Sequence, residues 1–264
     1  MELLGYVASV LIGVSLSLIG GGGSILTVPV LVYLLEIEPL IATAYSLFIV
    51  GLSSLIGAVP KFKQNLVSVK TAVIFGIPSI ISVFLTRYWI VPMIPSHIVE
   101  LGSVVLTKNV LMMIVFAVLM VFASISMIRN KPCVDCDENA EPEYKIGMIF
   151  FEGTLVGALT GFVGAGGGFL IIPALVILSK LSFKKAVGTS LVIIAAKSLI
   201  GFLGDVFHTK INWLLLGSVT LLAVLGIFLG DLLSKKIKGD NLKVGFGWFV
   251  LIMGVGIFVK ELFL

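Results

Sequence analysis

Cysteine and histidine are nearly absent from this sequence: Cys133 and Cys136 are the two thiols, His97 and His208 the two imidazoles. Two thiols separated by two residues cannot staple a secreted disulfide scaffold. Two histidines on separate loops supply neither a zinc set nor a nucleophile with its base, so no metal, cofactor or enzyme activity is expected. Charge is scarce as well. Lys, Arg, Asp and Glu make up 12% of the chain against 59% apolar residues, with a mean hydropathy of +1.20, a balance that does not fit a soluble surface. The lipid bilayer is therefore the expected environment, and the net charge of +4 reports orientation across it rather than a nucleic-acid partner. Met1 and Glu2 lead directly into an apolar run without a basic segment or small-residue cleavage site, so no cleavable leader is expected.

Long apolar runs are what the chain has in excess. They stand at 3–19, 24–35, 41–59, 69–95, 109–128, 146–163, 169–179, 186–204, 213–233 and 244–262. Eight have the length to cross about 30 Å of hydrocarbon, whereas 24–35 and 169–179 reach little more than half of it. Each short run follows a glycine cluster, Gly20–Gly23 or Gly164–Gly168 with Ala165, where an ordinary helix should break. The halves also repeat: a shift of 144 residues lays Gly13–Gly57 over Gly157–Gly201 with 17 identities in 45 positions, Pro29 falling on Pro173 and Ser46 on Ser190. The expected fold is an all-α polytopic membrane protein of two inverted repeats, each a glycine-broken re-entrant or discontinuous helix plus three spanning helices. Residues 1–128 form the first repeat, 129–145 a polar cytoplasmic linker and 146–264 the second repeat.

Basic residues choose between two topologies. If each broken segment crosses once, the lysines and arginines divide almost evenly. If each is a hairpin leaving on the side it entered, Lys61, Lys63, Lys70, Arg129, Lys131, Lys145, Lys180, Lys184, Lys185, Lys235, Lys236, Lys238 and Lys243 share one face, against Arg87, Lys108, Lys210 and Lys260. The hairpin topology has the positive-inside bias, and it puts both termini outside a cytoplasmic (inner) membrane.

Hairpins entering from opposite faces bring their glycine turns together near the midplane. The short helices starting at Ser24 and Phe169 then aim free amides and partial positive charge at one region, which fits a small anion. The candidate contacts are Gly21, Gly22, Gly23, Ser24, Gly166, Gly167, Gly168 and Phe169, joined by Ser46, Thr189, Ser190 and Lys197. Lys197 is a basic residue well inside a spanning segment, too deep to snorkel, so it must face protein or water. Glu152, within the run 146–163, is a candidate for carrying a coupling proton or pairing with Lys197; the coupling ion, proton or sodium, is open, as is a homodimer. Asp205 and Asp231 read as solvated charges at segment ends. The CVDC of the polar loop reads as part of a flexible linker, with a redox or sensor role as the rival.

At GVSLSLIGGGGSILTVPVLV, GFVGAGGGFLIIPALV and KKAVGTSLVIIAAKSLIGFLGD the chain resembles the TauE/SafE (sulfite exporter) family of membrane transporters. The resemblance covers essentially the whole chain and implies secondary transport of sulfite, sulfonates or related sulfur-containing anions across the cytoplasmic membrane. Carried over, the glycine motif matches Gly20–Gly23 with Pro29 and Gly164–Gly168 with Pro173, and the GTS matches Gly188, Thr189 and Ser190. The first repeat departs there, reading Ala44, Tyr45 and Ser46. Alternating access at the midplane is the expected mechanism, and a passive anion channel is the alternative.

Overall fold

The computed structural model describes residues 2–101, 104–129, 146–179, 181–234 and 239–263. It is nearly all helical, running α1 (Glu2–Ile19), a tight 3-10 stretch Gly20–Leu26, α2 (Thr27–Pro29), a π-helical turn Val30–Leu34, α3 (Pro39–Lys63), α4 (Val69–Leu85), a second π-helical turn Thr86–Ile90 and α5 (Val91–Met93). After strands β1 (His97–Leu101) and β2 (Val104–Thr107) come α6 (Lys108–Arg129), α7 (Ile146–Val163), α8 (Gly168–Leu178), α9 (Phe183–Val206), α10 (Trp213–Ser234) and α11 (Gly239–Phe263). Among the described residues, six helices are long and apolar enough to cross a membrane: Pro39–Lys63, Val69–Met93, Lys108–Arg129, Lys184–Val206, Trp213–Leu233 and Val244–Glu261. Leu4–Ile19, Gly23–Leu34 and Gly147–Val163 are shorter apolar helices. The antiparallel β1–β2 ribbon was not anticipated; its HIVEL and VVLT pair from His97 with Thr107 to Leu101 with Val104.

Local chemistry sets the boundaries. Pro39 occupies the first turn of α3, where its missing N–H costs no helical bond. The Ser68 side chain accepts from Thr71 N at the start of α4. Both α1 and α7 stop at a left-handed glycine, Gly20 (φ 67°) and Gly164 (φ 73°), which lie 144 residues apart and close each helix as glycine C-caps do. Outward faces stay apolar: Leu11, Ile77, Ile81, Phe228 and Ile252 are all exposed, as a lipid-facing surface requires.

The first broken segment folds back on itself. A Cβ added at Gly5 would fall on the Leu35 side chain, and one at Gly23 on the backbone of Ser15 and Leu16, so the arm after the glycines returns to the level at which α1 began. A single kinked crossing would have separated these residues by the full thickness of the layer.

The two halves exchange contacts in matched pairs. Gly13 packs on the Ala223 carbonyl and Gly157 on the Ser79 carbonyl; Gly20 meets Val187, and Gly164 meets Thr43. Each pair becomes the other under the 144-residue shift. Helices follow the same rule, α1 lying on α10 as α7 lies on α4, and α10 touching α3 as α4 touches α9.

Candidate functional site

The site is built where the glycine turns meet. In the first hairpin the chain turns once, at left-handed Gly20, and then tightens into the 3-10 stretch, so the expected regular helix starting at Ser24 is replaced by short 3-10, α and π turns. Four small residues allow that tightening, since no side chains eclipse. The Ser24 hydroxyl is turned inward, donating to Gly21 O at 2.7 Å. In the second hairpin the helix does break: Gly164, Gly166 and Gly167 all have positive φ, and α8 begins at Gly168 with left-handed Gly167 as its N-cap. Leu170 N and Ile171 N both donate to Gly167 O, which leaves the amides of Gly168 and Phe169 as first-turn donors.

Contact between the turns is direct. A Cβ on Gly21 would fall on the Gly168 backbone and on the Ile194 side chain, and one on Gly166 would lie 3.4 Å from the Ser24 Cβ. Lys197, 1% exposed, reaches this place from α9 and donates to Thr160 Oγ1 at 2.8 Å. A Cβ on Gly167 would sit 2.9 Å from the ammonium nitrogen. Among the described residues no carboxylate is ion-paired with Lys197, so Glu152 is not its partner. An ammonium with one hydroxyl partner, away from water and beside a glycine turn, is a cation whose field is uncompensated. Among the described residues, the hydroxyls of Thr27, Ser46, Ser53, Ser54 and Ser198 are buried and without hydrogen-bond partners, and Ser53 lines a cavity; buried hydroxyls of this kind ask for a polar solute or water.

Not every candidate converges here. Thr189 Oγ1 accepts from Ser68 N at 2.9 Å, tying α9 to the chain before α4, and it lies eight residues from Lys197, about 12 Å of helix. Ser190 donates to Val187 O, and Gly188 packs on the Leu66 carbonyl. The GTS stretch is thus a joint at the helix end. Phe169 is buried and lines a separate cavity of about 240 Å³ with Glu152, Phe122, Ser126 and Pro173, where one Glu152 oxygen is buried without a partner. The CVDC loop, with Cys133 and Cys136, lies outside the described residues, as does most of the linker. Among the described residues no group of three or more His, Cys, Asp or Glu side chains could hold a metal.

Sequence reasoning missed a second buried cation. Arg87 is fully buried in the π-helical turn after α4 and forms an ion pair with Asp205 at 3.3 Å, while donating to Thr43 Oγ1 at 3.1 Å. Its Nε and Nη2 have no hydrogen-bond partner among the described residues, and a Cβ on Gly164 would come within 2.6 Å of Nη2. Asp205 is buried, not solvated as its position at a segment end implied. The available signal was the placement of Arg87 inside the uninterrupted apolar run 69–95.

Six spanning helices around two glycine-turned segments define a multi-pass membrane protein with a polar interior site. The chain belongs to the family described as sulfite exporter TauE/SafE, which its residues 6–257 match. It is 27% identical over 251 residues to a probable membrane transporter protein of Xylella fastidiosa (strain Temecula1), covering 94% of this chain and 91% of that one. It is 26% identical over 261 residues to the probable membrane transporter protein YunE of Bacillus subtilis, covering 94% and 93%. A probable membrane transporter protein of Methanocaldococcus jannaschii is 24% identical over 259 residues, covering 93% and 91%. No solved structure matches the chain significantly. The chain is a membrane transporter and not an enzyme.

Proposed function

We propose that this transporter is a secondary carrier for a small anion, sulfite, a sulfonate or a related sulfur-containing anion, moved across the cytoplasmic membrane by alternating access between two inverted repeats. One observation carries the reading: two glycine turns from opposite hairpins touch at Gly21 and Gly168, next to a buried lysine that no carboxylate among the described residues neutralises. Glycine backbone lets an anion approach free amides, and Lys197 supplies the charge. Gly21, Gly22, Gly23, Ser24, Gly166, Gly167, Gly168 and Lys197 form the binding set, with Ser46 among the lining hydroxyls. Thr160 joins the set as the residue that holds Lys197, and Thr189 and Ser190 act through α9 rather than by contact. Glu152, apart from Lys197 and half-buried beside α8, is the candidate for a coupling proton.

The orientation in this reading puts the face bearing Lys61, Lys63 and Lys70 in the cytoplasm and both termini outside. Contacts at opposite ends of the helices support the sidedness: Asn109 donates to Glu38, Tyr33 donates to Glu261 and Asn212 N donates to Tyr45 on one face, while Ser68 N meets Thr189 on the other. Counterflow in proteoliposomes tests the mechanism with a panel of sulfite, sulfate, thiosulfate, sulfoacetate and taurine. Trans-stimulated, saturable exchange of one of them is the expected result. Flux without saturation, accompanied by single-channel currents, would establish a channel instead.

A further inference from the structure

The 144-residue correspondence extends beyond the glycine motifs. α3 begins at Pro39 and α9 at Phe183, α4 at Val69 and α10 at Trp213, each pair separated by 144. Within α4 and α10 the shift lays VFLTR, ending at Arg87, over IFLGD, ending at Asp231. The same shift lays Lys61 over Asp205. The buried ion pair Arg87–Asp205, transposed, is therefore Asp231 with Lys61: both signs reverse, and the opposition of charge is kept.

These two charge pairs stand in different states. Arg87 and Asp205 are in contact and buried. Lys61 and Asp231 are not ion-paired with each other; both line a cavity of about 390 Å³ that runs inward past Gly57 and Leu191 to Ser53. Ser53 is the counterpart of Lys197 under the shift, so the cavity leads toward the binding region. Packing differs in the same direction. A Cβ on Gly201 would fall on Val83, whereas at its counterpart Gly57 the nearest atoms would be Leu191 and Ile227 at 3.8 and 3.9 Å.

We infer that Arg87–Asp205 and Lys61–Asp231 are the two closures of the carrier, formed one at a time, and that this structure has the first shut and the second open. The inference rests on the alternating-access reading above. A substrate anion would enter past Lys61 and Lys63, with Asp231 held off from Lys61, and the ion pair at the far end blocks escape until the pairs exchange. Arg87 lies in a π-helical turn, a winding that recurs at functional sites.

The test measures coupling between the closures without relying on transport. In a Cys133→Ser/Cys136→Ser background, Lys61→Cys/Asp231→Cys reports the closed state by disulfide formation, and Gly57→Cys reports the open one by maleimide labelling in detergent. Replacing Arg87 by Gln or Asp205 by Asn releases the far closure. Disulfide formation should rise, and Gly57→Cys labelling fall, by roughly fivefold or more, the lower end of coupling between linked sites. Unchanged rates in both variants would overturn the inference. Should neither neutral variant reach the membrane, Arg87→Lys keeps the charge and must raise disulfide formation and lower Gly57→Cys labelling, as expected of the neutral variants. Counterflow is scored separately: coupled closures without exchange of any panel anion would refute the substrate reading and leave the closures standing, and exchange with uncoupled closures would do the reverse.

Discussion

Replacing Lys197 by Met should make the protein more stable and its binding weaker. The side chain is 1% exposed and its ammonium has one protein partner, Thr160 Oγ1 at 2.8 Å. Holding a charge away from water costs several kcal/mol, of which one charge-assisted hydrogen bond returns about 1.5–3 kcal/mol. Methionine fills nearly the same volume with no charge to desolvate, so the thermal midpoint in detergent should hold or rise. Binding moves the other way. If the ammonium contacts the anion, losing that bond costs the same 1.5–3 kcal/mol, or roughly 12- to 140-fold in affinity. Concentration dependence of exchange, measured for whichever panel anion the wild type carries, gives that factor, and a thermal ramp gives the stability. The Thr160→Val variant provides the contrast, because it keeps the charge and removes its partner, so the midpoint should fall. A Lys197→Met protein that melts earlier and binds with unchanged affinity would refute the reasoning and make the lysine a structural element.

Three further outcomes follow from the geometry. Gly167→Ala should lower stability by about 1–2 kcal/mol for a left-handed residue, with more from the Cβ meeting Thr160, and should abolish exchange; Gly217→Ala, where a Cβ meets nothing within 4 Å, should be close to neutral in both assays. Arg87→Ala should cost about 3–5 kcal/mol by leaving Asp205 buried and unpaired, while Arg87→Met with Asp205→Leu should recover most of that in a denaturation measurement, since apolar replacement removes both desolvated charges. An impermeant thiol reagent applied to intact cells should miss Cys133 and Cys136; rapid labelling from outside would reverse the proposed orientation.

The helical class, the six crossings and the duplication were legible because apolar run length and glycine placement are one-dimensional signals. Hydropathy could locate the break at Gly20–Gly23 but not its form, since 3-10 winding and a true turn use the same residues; what differs is that Gly167 takes positive φ and Gly23, 144 residues earlier, does not. The convergence of Lys197 with the glycine turns was expected from depth alone. Thr189 shares a helical face with Lys197, but side chains on one face meet different neighbours along 12 Å of helix, so facing did not bring it to the site. Arg87 escaped notice for the opposite reason: counted toward the nearest membrane face it reads as a boundary charge, and its burial depends on Asp205, 118 residues away.

The matched contacts between halves have a consequence for how the chain is made. The extensive helix pairings join residues from different halves: α1 with α10, α3 with α9, α4 with α7 and α9, α6 with α11. The long helices α1, α3, α4 and α6 cannot complete their packing when the first half leaves the ribosome. With synthesis at about 5–20 residues per second, α1 waits roughly 10–40 s for α10. During that interval a buried arginine, the glycine hairpin and several unpaired hydroxyls must be sheltered by lipid, translocon or chaperone. Final packing of this protein is thus completed late in translation, and a chain truncated before α9 would leave those polar groups exposed to the insertion machinery and its quality control.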